Sequence, residues 1–112
     1  MRIPRIAGSW YPNSAEEILK LVGAEKPAGP TLDRPAALIV PHAGYAYSGG
    51  VAARAFARLP TNAYDRVIIL APSHRVAMRR SFSVEPAVDV ETPFGTVKFS
   101  QTLHDRLAAL PG

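Results

Sequence analysis

Two short apolar runs, each followed by a proline and a histidine, stand out in the hydropathy pattern of this chain. Residues 36–40 form the first run, which leads through a proline to His42. Residues 66–70 contain the second run, which leads through another proline to His74. A short, continuous apolar run bounded by proline is typical of a strand buried on both faces. The pattern therefore predicts two buried strands, each with an imidazole just beyond its end.

Helical spacing of apolar residues appears before the first run and between the two runs. Ser14 and Glu17 have the spacing of a capping box, and apolar residues follow at helical intervals, which predicts a helix over 14–24. A loop rich in proline follows over 26–35. After the glycine-containing loop 42–50, a second helical face comprises Val51, Ala52, Ala55, Phe56 and Leu59.

The pattern changes to alternation after His74. Residues 82–84 and 88–90 alternate as half-buried strands do, and alternation resumes over 97–99. Thr92-Pro93-Phe94-Gly95 places proline and glycine where a turn requires them, which predicts a β-hairpin. Ser100 is expected to cap a final helix whose apolar face comprises Leu103, Leu107 and Leu110.

These elements predict an α/β fold. A strand, a helix and a second strand within about 35 residues form a βαβ unit, which implies two parallel strands joined by a right-handed crossover. The hairpin adds antiparallel structure. The length of 112 residues suits one domain with a modest core, and no second domain is expected within 1–112.

Composition narrows the class of protein. There are no cysteines, which excludes disulfides and thiolate ligands within the chain and suits a reducing compartment. No run reaches the ~20 apolar residues of a membrane span, and the N-terminus lacks the apolar stretch of a signal peptide, so we expect a cytoplasmic protein. The net charge is +4, but the arginines are scattered apart from a group over 75–80, so we expect no nucleic-acid binding.

The two histidines are the strongest candidates for chemistry. In open parallel sheets, ligands bind beyond the carboxyl ends of the strands, where His42 and His74 are predicted to lie. Neighbouring strands are about 4.8 Å apart, so both imidazoles can reach one divalent metal such as Zn, Fe or Cu. Two ligands are too few for a usual site, and no acidic residue stands out as a third. The alternative is that each histidine caps a strand end and bonds to the backbone.

Residues around the histidines suggest a pocket. The glycines of loop 42–50 allow a ligand to approach the backbone closely, although they match neither the dinucleotide fingerprint nor the phosphate loop. Tyr47 is expected to line the pocket, and Trp10 is expected either to line it or to fill the core. Arg75 beside His74 could pair with an anion. Ser48 and Ser73 lack a base partner, and His104 is expected to be a surface or boundary residue, so the catalytic residues remain unassigned.

Four ordered motifs resemble one family. Ala7-Gly8-Ser9-Trp10-Tyr11, Pro41-His42-Ala43-Gly44-Tyr45-Ala46-Tyr47-Ser48-Gly49, Leu70-Ala71-Pro72-Ser73-His74 and Thr92-Pro93-Phe94-Gly95 occur in this order. Together they resemble the Memo family, known in prokaryotes as AmmeMemoRadiSam system protein B. The resemblance runs through essentially the whole chain.

The resemblance implies a fold and a site. The fold is similar to the N-terminal half of the class III extradiol dioxygenase-like fold, and His42 and His74 correspond to metal-ligand positions, with Fe(II) or Cu as the metal. Trp10 and Tyr47 correspond to pocket-lining positions. The family is linked to metal-dependent redox chemistry, to phosphotyrosine peptides in animals, and to a radical-SAM protein and a second partner in prokaryotes.

The chain also departs from the family pattern. Family domains are more than twice as long, and their remaining half carries a Glu-His-Ser motif and a further ligand position. The resemblance therefore implies that this chain lacks the third ligand and the base. Three readings stay open: a metal-dependent oxidoreductase when complete, a binding module for an anionic peptide or small molecule, and an inactive fragment that associates through an exposed sheet edge.

Overall fold

The computed structural model of the chain describes residues 4–23, 27–86 and 89–110. The described elements are three α-helices, a π-helical turn and two strands. These elements fall into two compact units, one formed by Arg5–Asp65 and the other by Met1–Pro4 together with Arg66–Gly112. Helices α1 and α2 belong to the first unit, and the hairpin and α3 belong to the second. The prediction that residues 1–112 form one domain stays a prediction.

Helix α1, Ala15–Val22, confirms the predicted first helix and its cap. The Glu17 backbone N–H donates to the Ser14 hydroxyl oxygen at 3.1 Å, which satisfies one of the donors that a helix start leaves unpaired. Ile18 is 4% exposed and is the one apolar side chain that is fully buried among the described residues. The apolar face of α1 thus anchors the small core of the first unit.

Helix α2, Gly50–Phe56, corresponds to the predicted second helix but is shorter. After α2, the chain makes one further turn in which each hydrogen bond spans three residues. The Arg58 and Leu59 N–H groups donate to the carbonyls of Ala55 and Phe56. The predicted apolar face is only partly covered, since Val51 is 60% exposed. The helix therefore forms as the spacing indicates, without the burial that the spacing implies.

The proline-rich loop is attached to the end of α2. The Arg58 guanidinium donates through Nε to the Pro30 carbonyl at 3.1 Å, and the Leu32 N–H donates to the Arg58 carbonyl at 2.7 Å. Further along, the Tyr64 hydroxyl donates to the Pro35 carbonyl at 2.7 Å. These bonds fix the course of the chain up to the start of the first apolar run.

Neither predicted buried strand is formed in the structure. Residues 36–40 and 66–70 have no strand pairing, and the hairpin is the one sheet in the described part of the chain. Ile39 is 96% exposed and Leu70 is 91% exposed, so the expected burial on both faces is not found for these residues. A strand needs a hydrogen-bonded neighbour and a covering layer, and local sequence supplies neither. The parallel βαβ unit is therefore not observed.

The predicted hairpin is confirmed. Strands β1, Asp89–Thr92, and β2, Gly95–Lys98, pair antiparallel in the register Thr92 opposite Gly95 and Asp89 opposite Lys98. The Thr92 hydroxyl donates to the Gly95 carbonyl at 2.8 Å, and Gly95 has φ +110, which few other residues adopt. The predicted strand 82–84 does not form, and residue 88 lies outside the described residues.

Helix α3, Gln101–Ala108, confirms the predicted final helix. Its first turn is capped as expected, because the Leu103 N–H donates to the Ser100 hydroxyl at 3.4 Å. Leu103 and Leu107 are half-buried, whereas Leu110 is 52% exposed. Side-chain caps thus support α1 and α3, and the turn at Gly95 supports the hairpin, all through local contacts.

Candidate functional site

His42 follows residues 36–40, which form no strand, and its side chain is exposed. The chain then enters a π-helical turn, Tyr45–Gly49, which leads without a break into α2. The Tyr47 and Ser48 N–H groups both donate to the Gly44 carbonyl, at 2.9 and 3.2 Å. The segment expected to be a loop is therefore an ordered turn.

This π-helical turn is the feature of the site that the sequence did not indicate. Single π-helical turns at the start or within α-helices are frequent at functional sites. The Ser48 hydroxyl donates to the Ala43 carbonyl at 3.1 Å, which engages that carbonyl within the turn. Ser48 is thus hydrogen-bonded within the turn, and its exclusion as a nucleophile stays a prediction. The glycines of this segment predicted a loop that a ligand can approach closely, and not a helical turn.

The loop that carries Trp10 is attached to the same turn. The Tyr45 N–H donates to the Trp10 carbonyl at 2.8 Å, and the rings of Tyr11 and Tyr45 lie 5.7 Å apart. A Cβ built on Gly44 would lie 3.3 Å from the Trp10 carbonyl oxygen and 3.7 Å from the Tyr47 ring. Gly44 is thus the point where the Trp10 backbone, the Tyr47 ring and the His42 segment converge.

The Trp10 and Tyr47 side chains at this convergence point are exposed to solvent. Trp10 is 54% exposed and Tyr47 is 88% exposed. Trp10 therefore does not fill the core, which was one of the two roles predicted for it. Large exposed aromatic rings are available to form the wall of a ligand pocket. That they do so stays a prediction.

His74 and Arg75 lie in the second unit, at the centre of a turn. The Ser73 hydroxyl donates to the Val76 carbonyl at 2.6 Å and accepts from the Val76 N–H at 3.3 Å. These two hydrogen bonds close the turn around His74 and Arg75, and both of these residues are exposed. Ser73 is thus occupied by its own backbone, which supports its exclusion as a nucleophile. The turn presents His74 together with a cationic neighbour.

The described residues do not form a complete metal site. No cluster of three or more histidine, cysteine, aspartate or glutamate side chains suited to a metal occurs among residues 4–23, 27–86 and 89–110. Imidazoles are good ligands for zinc, iron and copper, so the donor type of His42 and His74 fits. The number of donors does not fit, because such sites take at least three protein ligands. No step of a reaction is therefore derived through a metal.

The third histidine occupies a different environment. His104 on α3 is half-buried, as a boundary position requires, and its Nδ1 is hydrogen-bonded to Asp105 Oδ1 at 3.1 Å. The hydrogen bonds from His104 and from Gln101 hold the pKa of the Asp105 carboxyl below its usual value. A groove of about 270 Å³ is lined by Phe82, Val84, His104, Leu107, Ala108 and Leu110. His104 therefore has local partners within its own unit and serves as a reference for the other two histidines.

Membrane-spanning character is not found in the helices. Among the described residues, every helix falls short of the length and apolar character that a span across the bilayer requires.

Comparison with known proteins gives a consistent family match. The sequence profile of the family described as Memo-like protein matches residues 2–111. A MEMO1 family protein of Aquifex aeolicus is 33% identical over 112 residues, which cover 99% of this chain and 41% of that protein. Protein MEMO1 of Xenopus laevis is 43% identical over 103 residues, covering 90% of this chain and 34% of that protein. No solved structure matches the chain significantly.

The chain is much shorter than these relatives. A memo-1 homolog of Caenorhabditis elegans is 36% identical over 104 residues, which are 92% of this chain but 29% of that protein. The matched stretch thus spans 29% to 41% of the length of the curated relatives cited here. Similarity therefore extends over nearly all of this chain and over a minor part of each relative.

Proposed function

The chain belongs to the Memo-like protein family, and on that premise we propose that His42 and His74 are two ligands of a metal in an oxidoreductase pocket. The metal proposed is Fe(II) or Cu. Support comes from the matched position of the two histidines after two proline-terminated apolar runs. The family match adds to this, since it includes both runs and both histidines. The catalytic residues remain unassigned.

The observation that carries the proposal is the convergence at Gly44. The π-helical turn, the Trp10 carbonyl and the Tyr47 ring meet there, two residues after His42. A turn that is hydrogen-bonded to the Trp10 backbone two residues after His42 reduces the number of backbone positions available to His42. Positioning of this kind is what a ligand or catalytic group requires. In the proposal, Trp10 and Tyr47 form a wall that limits the access of water.

The remaining ligands are assigned to the part of the family proteins outside the matched stretch. Two imidazoles leave coordination positions of Fe(II) or Cu(II) unfilled. A fold similar to the class III extradiol dioxygenases belongs to the same proposal, with residues 36–40 and 66–70 as parallel strands of a βαβ unit. Metal-dependent redox chemistry would then belong to the intact protein, in the cytoplasm, with a radical-SAM protein among its partners.

A substoichiometric Cu(II) titration followed by NMR tests whether the two histidines share a metal. Paramagnetic Cu(II) broadens the ring resonances of its ligands, and the chain has three histidines that can be compared in one experiment. We expect the ring signals of His42 and His74 to broaden together, before those of His104. Equal broadening of all three, or broadening of one alone, would contradict a shared site.

The second candidate function is a binding module for an anionic ligand. The observation that favours it is the closed turn that presents His74 and Arg75 to solvent. Guanidinium groups form paired hydrogen bonds with carboxylate and phosphate, so a phosphorylated peptide or a small acidic molecule would suit this turn. This function needs no metal and no turnover.

A thermal-shift assay separates this function from a mere cationic surface. We expect phosphotyrosine to raise the unfolding temperature of the wild-type chain, and Arg75→Ala to remove most of that shift. Arg79→Ala is the matched control, because Arg79 is also exposed and lies four residues away. An equal loss in both variants would indicate unspecific charge. No shift in the wild type, together with no metal binding, would favour an inactive fragment.

A further inference from the structure

The groove on the second unit combines an apolar surface with a single polar side chain. Phe82 and Val84 line it together with four residues from the stretch 104–110. Among the described residues that line the groove, His104 is the one polar side chain. Phe82 and Leu110 are 55% and 52% exposed, so a ligand in the groove would cover apolar surface that water now contacts. An apolar concave surface with one well-placed polar group is typical of a small-molecule site.

The size of the groove suits a molecule with a single ring. Its volume is about 270 Å³. A cavity of roughly 150 Å³ lined by apolar side chains is large enough to hold benzene. The Phe82 ring also offers a surface against which an aromatic ligand packs in a stacked or edge-to-face arrangement. A ligand with one aromatic ring and one or two small substituents therefore fits.

The side-chain hydrogen bonds of His104 engage only one of its two ring nitrogens. The Nδ1 atom lies 3.1 Å from Asp105 Oδ1, and the Gln101 amide donates to the same oxygen at 2.7 Å. These bonds, from His104 first and then from Gln101, hold the pKa of the Asp105 carboxyl below its usual value. The Asp105 carboxyl is therefore an ionised group, which accepts hydrogen bonds and donates none.

The contact with Asp105 determines which nitrogen of His104 carries the proton. An unprotonated Nδ1 would place two acceptors 3.1 Å apart, so Nδ1 is the donor in this pair. The Gln101 amide nitrogen is 3.5 Å from Nδ1, too far for a good hydrogen bond, so the shorter contact decides. Within the described part of the chain, Nε2 makes no hydrogen bond of its own. In the neutral ring, Nε2 is therefore an available acceptor.

We infer that this groove binds a small apolar molecule with one hydroxyl group, a phenol in particular, whose O–H donates to His104 Nε2. The aromatic ring of the ligand packs on the apolar lining, and the hydroxyl satisfies the available acceptor. Asp105 is a positioning residue, because it holds the proton on Nδ1 and thereby makes Nε2 accept. None of these groups belongs to the proposed metal site or to the turn proposed to bind anions.

An NMR titration at about pH 8 tests this site with p-cresol as the probe and toluene as the matched ligand without a hydroxyl. At this pH imidazole side chains are ordinarily neutral and phenols keep their proton. We expect both ligands to shift the resonances of Phe82 and Leu107. We expect p-cresol to bind about 3–10-fold more tightly than toluene, the effect of one hydrogen bond of ordinary strength.

Three substitutions on α3 separate the role of the imidazole from that of the apolar lining. His104→Ala should remove the preference for p-cresol over toluene. Asp105→Ala leaves the lining intact and should also reduce the preference, while the ¹⁵N shifts of the His104 ring should show protonation of Nε2 in place of Nδ1. Arg106→Ala is the matched control, since Arg106 is exposed and does not line the groove, and it should keep the wild-type preference.

Three outcomes would overturn the inference. One is the absence of shifts at Phe82 and Leu107 with either ligand, which would show that the groove binds neither. Another is equal affinity for p-cresol and toluene in the wild type, which would assign no role to the imidazole. The third is tighter binding of 4-methylbenzoate than of p-cresol, which would show that His104 donates to an anion.

Discussion

Replacing Ile18 with alanine is expected to lower the free energy of unfolding by about 2–4 kcal/mol, the usual cost of truncating a buried isoleucine. Ile18 is 4% exposed, and no other apolar side chain among the described residues is buried to this degree. The substitution removes the contacts that the Ile18 side chain makes within its unit. A loss of this size is a large part of the stability of a small domain, typically about 5–15 kcal/mol.

Urea denaturation followed by circular dichroism measures this effect, with Leu19→Ala as the matched control. Leu19 is the next residue of α1 and is 56% exposed, so its truncation should cost less than about 1 kcal/mol. Alanine has a higher helix propensity than leucine or isoleucine, so a loss in Ile18→Ala cannot come from weaker helix formation. Equal losses in the two variants would contradict the assignment of Ile18 as the anchor of the core.

The elements that the sequence predicted correctly are those with local causes. The Ser14 and Ser100 caps each satisfy the N–H of a residue three positions later, and the turn at Gly95 needs a positive φ. Such interactions lie within a few residues, so spacing alone reveals them. The two capped helices and the hairpin therefore form where the pattern placed them.

The elements that the sequence did not predict correctly have distant causes. Residues 36–40 and 66–70 have strand composition, but pairing and burial depend on segments far away in sequence. Their exposure shows that the described chain does not supply those segments. The π-helical turn at Tyr45–Gly49 was missed for a related reason, since its attachment to Trp10 links residues 35 positions apart.

The candidate site shows the same contrast between features with local causes and features with distant causes. Motif spacing identified His42, His74, Trp10 and Tyr47, and the structure links Trp10 and Tyr47 through Gly44. Spacing could not find a third metal ligand, and none is grouped with the histidines among the described residues. Local motifs thus single out two candidate ligands and two candidate wall residues, whereas the groups that would complete the proposed site are not specified by local motifs.

Replacing both His42 and His74 with alanine is expected to weaken Cu(II) binding at least about 100-fold. Loss of a group that merely orients a metal ligand already costs roughly 10–100-fold in affinity, and here two ligands themselves are removed. Both histidines are exposed, so the double substitution should leave the unfolding curve nearly unchanged. A loss of affinity without a loss of stability would separate a ligand role from a structural one.

The third histidine provides the matched control. His104 lies on α3 with Asp105 and Gln101 as neighbours, and the proposed site does not include it. His104→Ala removes one imidazole from the chain and should leave Cu(II) affinity within about twofold of the wild type, the change expected of a residue outside the site. A large effect of His104→Ala would indicate that any exposed imidazole binds the metal.

The measurement that tests the central claim most directly is calorimetric titration of Cu(II), and of Fe(II) without oxygen, into three proteins. These are the wild-type chain, the His42→Ala/His74→Ala variant and the His104→Ala variant. We expect one metal per chain with equal affinity in the wild type and His104→Ala, and at least about 100-fold weaker binding in the double variant. Unchanged affinity in the double variant would contradict the claim that His42 and His74 are metal ligands.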